Sequence, residues 1–220
     1  MSLELFLHPL SSYCHKVLIA FYEKDIPFAP RRIDDPAVAR EFEALAPLKR
    51  FPILRDTDSG RVVQESTIII EYLDTHFHGG LKLIPDDPES ALQVRLRDRF
   101  FDNYLHTPVQ KFPDEQLRPE GQKDPYGLQK ARALFVKALA LLEAEMADRT
   151  WAAGERFTMA DCAAAPALFF GNRFYGPFAD THPHVLAYLE RLTARPSYAR
   201  ALHEAQPFMP LISKWQPIAD

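Results

Sequence analysis

Apolar and polar residues alternate at the start of the chain. Leu3, Leu5 and Leu7 are interleaved with Glu4, Phe6 and His8, which predicts a strand over Leu3–His8. After the polar turn Ser11-Ser12-Tyr13-Cys14-His15-Lys16 the period changes. Val17, Ala20, Phe21 and Lys24 follow at three and four residues and predict a helix. Asp25-Ile26-Pro27 ends it, and Phe28–Ile33 reads as a second strand. A helix between them implies a parallel pair with a right-handed crossover. Asp35-Pro36 has the form of an N-cap with proline at the first helical position, for a short helix to Leu45. Arg50–Arg55 and Arg61–Gln64 read as a hairpin closed by Asp56–Gly60. Ile68, Ile69, Tyr72, Leu73 and Phe77 form one face of a further helix. The order βαβ-α-ββ-α is that of a thioredoxin-like α+β domain, assigned to residues 1–78.

Residues 79–88, with Gly79, Gly80, Pro85 and Pro88, show no period and read as a linker. Residues 89–220 pattern as an all-helical domain. A helix is expected from Glu89 to about Thr107, then a long loop marked by Pro113, Pro119, Gly121, Pro125 and Gly127, then a helix over Leu128–Asp148. Thr158-Met159-Ala160-Asp161 has the spacing of a capping box. It opens a small, apolar helix to about Phe174 suited to the centre of a bundle, with Phe157 and Cys162 as its staple. Pro183 and Pro196 each start a shorter helix, and Phe208–Asp220 reads as a proline-broken tail.

Composition narrows the class. The 220 residues are 47% hydrophobic and 25% charged, as in a soluble globular chain, and the net charge of -4 gives no electrostatic reason to expect nucleic acid or an anionic membrane. No apolar run is long enough to span a bilayer. The two cysteines, Cys14 and Cys162, build neither a disulfide framework nor a four-ligand zinc site, so a reducing, cytoplasmic compartment fits best. His76/His78 and His182/His184 are spaced as pairs, but both lie in expected loops or fraying helix ends, so no metal is expected.

The chemistry centres on the Ser11–Lys16 turn. A strand, a polar turn and a helix present a hydroxyl or thiol where free N–H groups and the macrodipole favour an anion. The alternative reading of this stretch alone is that Ser11 or Ser12 merely caps the helix. Three further stretches stand in order behind it: Ala46-Pro47-Leu48-Lys49-Arg50-Phe51-Pro52-Ile53-Leu54, Gln64-Glu65-Ser66 before Ile68-Ile69-Ile70-Glu71-Tyr72-Leu73, and Ala153-Gly154-Glu155-Arg156-Phe157-Thr158-Met159-Ala160-Asp161. Together the four resemble the motifs of the cytosolic glutathione transferases, of the serine type found in theta, zeta and tau classes. The resemblance covers nearly the whole chain.

The resemblance implies the glutathione transferase fold and a dimer that uses glutathione against a small electrophile, by conjugation, dehalogenation or cis–trans isomerisation. Tyr13 stands where zeta enzymes carry a cysteine, which leaves the subclass open. Ser11, with Ser12 in reserve, would donate to the glutathione thiolate. Ser66 would take the γ-glutamyl carboxylate at a helix N-terminus, and Glu65 the ammonium. Phe51, before an implied cis Pro52, would pair with the cysteinyl backbone, and Lys49 or Arg50 would meet the glycyl carboxylate. Asp102 resembles the acid that reaches across to the other subunit's ligand. Tyr13, Phe101, Tyr104 and Leu105 are the expected electrophile pocket. The alternatives are a non-catalytic interaction module on the same fold, or a thiol reductase acting through Cys14. His8 and His15 read as structural, and Cys162 as core.

Overall fold

The computed structural model describes residues 2–213. Four strands, β1 (Leu3–Leu7), β2 (Ala29–Arg32), β3 (Ile53–Asp56) and β4 (Arg61–Gln64), form one sheet in the order β2-β1-β3-β4. β1 and β2 pair in parallel; β1–β3 and β3–β4 are antiparallel. The parallel pair is joined through α1 (Ser12–Glu23), and α2 (Pro36–Leu45) and α3 (Ser66–His76) complete this half. β1 is central, and Leu3, Leu5, Phe6 and Leu7 are all buried because both sheet faces are covered. The expected element order is observed. Asp35 caps α2 through the Ala37 N–H at 2.8 Å, with Pro36 at the first helical position.

Residues 77–87 connect the halves without a helix but are firmly held. The Asp74 carboxylate accepts the N–H groups of Leu83 (3.1 Å) and Ile84 (2.9 Å) and pairs with buried Lys24 at 2.8 Å. Gly80, with φ of 63°, lies so close to Lys24 that a Cβ would stand 2.4 Å from its Cα. Only glycine fits there.

The helical half consists of α4 (Pro88–Phe100), a π-helical turn (Phe101–His106), α5 (Thr107–Leu117), α6 (Pro125–Met146), α7 (Met159–Phe174), α8 (Pro183–Ala194), α9 (Pro196–Ala205) and two short terminal turns, Gln206–Phe208 and Pro210–Ser213. Two expectations need correction. Helix continues past Thr107 and through Pro113, so the interruption shrinks to residues 118–124. Pro125 and Gly127 belong to α6: Asp124 accepts the Gly127 N–H at 2.8 Å and Pro125 occupies the first helical position, where a missing N–H costs nothing. The part of the expected tail beyond residue 213 lies outside the described residues.

The π turn has a cause in the sequence. Pro108 has no N–H for the Tyr104 carbonyl, and its ring collides with that group in a regular helix. The chain widens instead: the Thr107 N–H bonds the Asp102 carbonyl, and the Thr107 hydroxyl donates to the same oxygen at 2.8 Å. At the head of α7 the expected capping box is present. Thr158 donates its N–H (2.8 Å) and hydroxyl (3.0 Å) to Asp161, which also accepts the Ala152 N–H at 2.8 Å and the Tyr188 hydroxyl at 2.6 Å. The main core runs unbroken from Leu3 and Leu5 through α1 to Ala163–Ala167 on α7; a smaller one, Phe6, Phe42, Ala46 and Ile53, lies under α2.

Candidate active site

A cleft of about 740 Å³ opens between the halves, walled by the β1–α1 turn, residues 46–52, the start of α3 and the inner face of α4–α5. It brings together most of the residues singled out by sequence. Ser11, Tyr13, Lys49, Arg50, Phe51, Pro52, Glu65, Ser66 and Asp102 all line it.

Ser11 is the N-cap of α1. Its oxygen accepts the Cys14 N–H at 3.3 Å, which leaves the hydroxyl proton available to a ligand. Ser12, by contrast, is buried and accepts a hydrogen bond from Gln110 Nε2 at 2.9 Å, so it faces α5 and does not line the cleft. Cys14 is fully buried. Burial pushes its thiol up to about 12, against the opposing pull of the Ser11 hydroxyl and the His8 backbone. A thiol so protonated and so enclosed is not a redox nucleophile, which removes the Cys14 reductase reading. Cys162 is likewise buried. His15 is a packing residue: its Nε2 lies 2.7 Å from the Pro9 carbonyl, and burial lowers its pKa to about 4.

The Phe51–Pro52 peptide is cis. Phe51 stands two residues before the first residue of β3, so its backbone lies outside the sheet ladder. The head of α3 differs from those of α1, α2, α4 and α6 in having no side-chain cap. Its first backbone bond is from the Ile69 N–H to the Glu65 carbonyl (2.9 Å), and the N–H groups of Ser66, Thr67 and Ile68 precede it at the cleft. Glu65 holds φ at 67°, a region few non-glycine residues adopt and one that costs about 1–3 kcal/mol. Free N–H groups beside an exposed carboxylate match the carboxylate and ammonium of an α-amino acid. Lys49 is also at positive φ, and its ammonium pairs with Glu43 at 2.7 Å on the exposed rim.

Sequence reasoning missed the charged floor of this cleft. Lys16 is fully buried and pairs with Asp98 Oδ1 (2.7 Å) and Asp102 Oδ2 (2.8 Å), and it donates to the Thr67 hydroxyl at 2.8 Å. Arg99 bonds the same two aspartates from the solvent side. Asp102 Oδ2 is therefore committed within its own chain. The available signal was the i,i+4 spacing of Asp98 and Asp102, two acids on one face across the junction of α4 and the π turn.

The expected electrophile pocket also needs correction. Phe101 and Leu105 are fully buried in the core, Leu105 one helical turn on from Phe101, and Tyr104 is exposed outside the cleft. Phe101 and Leu105 continue the buried face of α4 set by Val94 and Asp98, which turns away from the cleft. The residues that line the cleft from this wall are Asn103, Gln110 and Asp114. Tyr13 lines the cleft and is stacked on His106, with ring centroids 4.0 Å apart and planes at 20°.

Comparison with known proteins agrees with this geometry. Residues 5–80 match the glutathione S-transferase N-terminal domain and residues 110–196 the glutathione S-transferase C-terminal domain. The chain belongs to the glutathione S-transferase family. It is 27% identical over 210 residues to a stringent starvation protein A homolog of Histophilus somni, covering 93% of this chain and 92% of that one. It is 29% identical to glutathione S-transferase 3 of Zea mays, with 91% and 93% covered. A glutathione-bound crystal structure of a Methylobacillus flagellatus glutathione S-transferase superposes with a TM-score of 0.82 at 24% identity, over 91% of this chain and 98% of that one.

Proposed function

We propose that this protein is a glutathione transferase in which Ser11 stabilises the glutathione thiolate for attack on a small electrophile. The observation that carries it is the uncapped head of α3 facing, beside Glu65, the same cleft that Ser11 and cis Pro52 line. The γ-glutamyl carboxylate takes the N–H groups at Ser66, its ammonium takes Glu65, and the cysteinyl backbone pairs with Phe51. Lys49 and Arg50 lie at the rim for the glycyl carboxylate.

A free thiol with a pKa of about 8.5 is only ~3% ionised at pH 7. A hydroxyl hydrogen bond to the thiolate contributes about 1.5–3 kcal/mol, and the α1 dipole about 0.3–1 kcal/mol. Together they lower the thiol pKa by about 1.3–2.9, which brings it near or below pH 7 and makes thiolate a major species. The reactions open to that thiolate are conjugation, dehalogenation and isomerisation of a conjugated acid.

The protein acts as a homodimer. Ile68 on α3 and Leu92 and Leu96 on α4 are more than half exposed beside the cleft, an apolar face suited to a second copy. Leu96→Asp is expected to yield monomer in sedimentation. Two free, buried cysteines suit a reducing cytoplasm, and among the described residues no helix is long and apolar enough to cross a membrane.

Calorimetric titration with reduced glutathione, with thiolate absorbance followed across pH, tests the reading. Saturable binding with a thiol pKa well below 8.5 supports it. Absence of binding at millimolar glutathione overturns it in favour of an interaction module, the role that its resemblance to the starvation protein leaves open.

A further inference from the structure

Nearly every charge that lines the cleft has a use. Glu71 is held by Arg95, Asp98 and Asp102 by Lys16 and Arg99, and Lys49 by Glu43. The glutathione scheme takes Glu65 and Arg50. Asp114 of α5 is left over. It lines the cleft, is exposed, and makes no hydrogen bond or ion pair with any described residue. The two cations within one turn of it are turned elsewhere, Lys111 to Asp124 at 2.6 Å and Arg118 to Glu115 at 3.4 Å. Asp114 also stands in the last turn of α5, at the negative end of the helix dipole, so its charge costs the helix stability. Gln110 lies one turn earlier on the same face. It gives Nε2 to Ser12 at 2.9 Å, and its carbonyl oxygen has no donor among the described residues. The α5 wall thus presents acceptors without donors, and it starts beside the Ser11–Ser12 turn.

We infer that the electrophile is selected for positive charge, an amidinium or ammonium group that reaches along α5 to Gln110 and Asp114, with Asp114 as the specificity-determining residue. This rests on the transferase reading above, which puts the thiolate at Ser11. From Gln110 to Asp114 the wall rises by one helical turn, about 5.4 Å, a length that a ring with its reacting carbon and its cation in para positions can bridge. A carboxylate facing an amidinium makes charge-assisted hydrogen bonds, stronger than those of a neutral amide. The same carboxylate repels an anionic electrophile, so one residue both attracts and rejects. A charge that weakens its own helix and has no partner in its own chain is accounted for by a partner that arrives with the substrate.

The test measures kcat/KM at saturating glutathione for three electrophiles of one shape: 4-chloro-3-nitrobenzamidine, 4-chloro-3-nitrobenzamide and 4-chloro-3-nitrobenzoate. Each value is divided by the uncatalysed rate constant of the same compound with glutathione. In all three the glutathione sulfur bonds to the chlorine-bearing carbon, the added electron pair rests on the ring and nitro group, and its return expels chloride. Wild type is expected to favour the amidine over the benzoate by about tenfold or more, with the benzamide between them. Asp114→Asn should reduce that preference about 3- to 10-fold. Asp114→Glu should keep most of it, and Asp114→Lys should turn it toward the benzoate. Thermal midpoints of Asp114→Asn and Asp114→Lys no lower than that of wild type show that the fold is intact, as expected for an exposed acid at a helix C-terminus. Equal use of the three compounds by wild type, or preference for the benzoate, overturns the inference. A preference unchanged in Asp114→Asn overturns the role of Asp114. Glutathione binding without turnover of any of the three overturns this inference alone; no glutathione binding overturns the transferase reading and this inference with it.

Discussion

Lys16 of α1 meets Asp98 of α4 at 2.7 Å with both side chains fully buried, so the two halves of the molecule are joined by an ion pair at the floor of the cleft. Asp102 and Arg99 complete the cluster, and the four formal charges cancel. Such a group gives little net stability compared with an apolar core, yet removing one member leaves charge stranded. Lys16→Met is therefore expected to destabilise the fold by about 3–5 kcal/mol, read from urea unfolding. The triple variant with Asp98→Asn and Asp102→Asn should recover much of that loss. If Lys16→Met alone is neutral, the cluster is more hydrated than its burial indicates.

Ser11→Ala separates capping from catalysis. Loss of the Cys14 N–H contact costs about 0.5–2 kcal/mol of stability, and loss of the hydroxyl raises the pKa of bound glutathione toward that of the free thiol. Turnover at neutral pH is expected to fall roughly 10- to 100-fold with glutathione affinity little changed. Wild-type turnover would reassign the thiolate donor.

Glu65→Ala acts on the other end of the ligand. The ammonium loses its counter-charge, so the dissociation constant of glutathione should rise about tenfold or more, while the pKa of the bound thiol holds. A changed thiol pKa with intact affinity would show that the γ-glutamyl group binds elsewhere. Without the ligand, Glu65→Gly is expected to stabilise the protein, because glycine adopts a φ of 67° at no steric cost.

Acid should weaken the fold before most carboxylates titrate. Burial lowers the pKa of His15 to about 4 and that of His106 to about 3, from 6.5. His15 faces the Pro9 carbonyl, with Glu204 raising its pKa slightly; His106 faces Tyr13 and is lowered further by Lys16 and His15, with Asp102 Oδ1 4.0 Å away. Both are neutral when folded and protonated when unfolded. Their contribution is fully present above pH 6.5 and is lost as pH falls toward 4. Half-buried His8, lowered in the same direction, adds to this. Between pH 6 and 5 the unfolding free energy should fall by up to about 2.7 kcal/mol per pH unit from the two buried rings, at 1.36 kcal/mol per proton. His106→Phe should roughly halve that slope; an unchanged slope would mean that His106 is solvated.

The parts of the fold written in local chemistry were readable in advance. The alternation at Leu3–Leu7, the Asp35-Pro36 cap and the Thr158–Asp161 box each depend on neighbours a few residues apart, and each is found where the sequence places it. So were the cleft residues contributed by turns and helix heads, Ser11, Phe51, Glu65 and Ser66. What escaped depends on distant partners. Pro113 signals a break only if tertiary packing does not hold the helix through it, and Pro108 expands the helix without ending it. Phe101 and Leu105 continue the buried face set by Val94 and Asp98, and Asn103 continues the cleft face of Arg95 and Arg99, so the aromatic stripe was assigned to the wrong side of the helix. Lys16 gives no local sign of burial, since its counter-charges lie more than eighty residues away.

The linker has a consequence for how substrate range can change. With Asp74 holding Leu83, Ile84 and Lys24 at once, and Gly80 pressed against the end of α1, the connection has no slack for a hinge. The gap between the halves is a fixed dimension. On the proposed function, a different electrophile would be accommodated by exchanging the side chains that furnish the α4–α5 wall, as a room is refurnished without moving its walls.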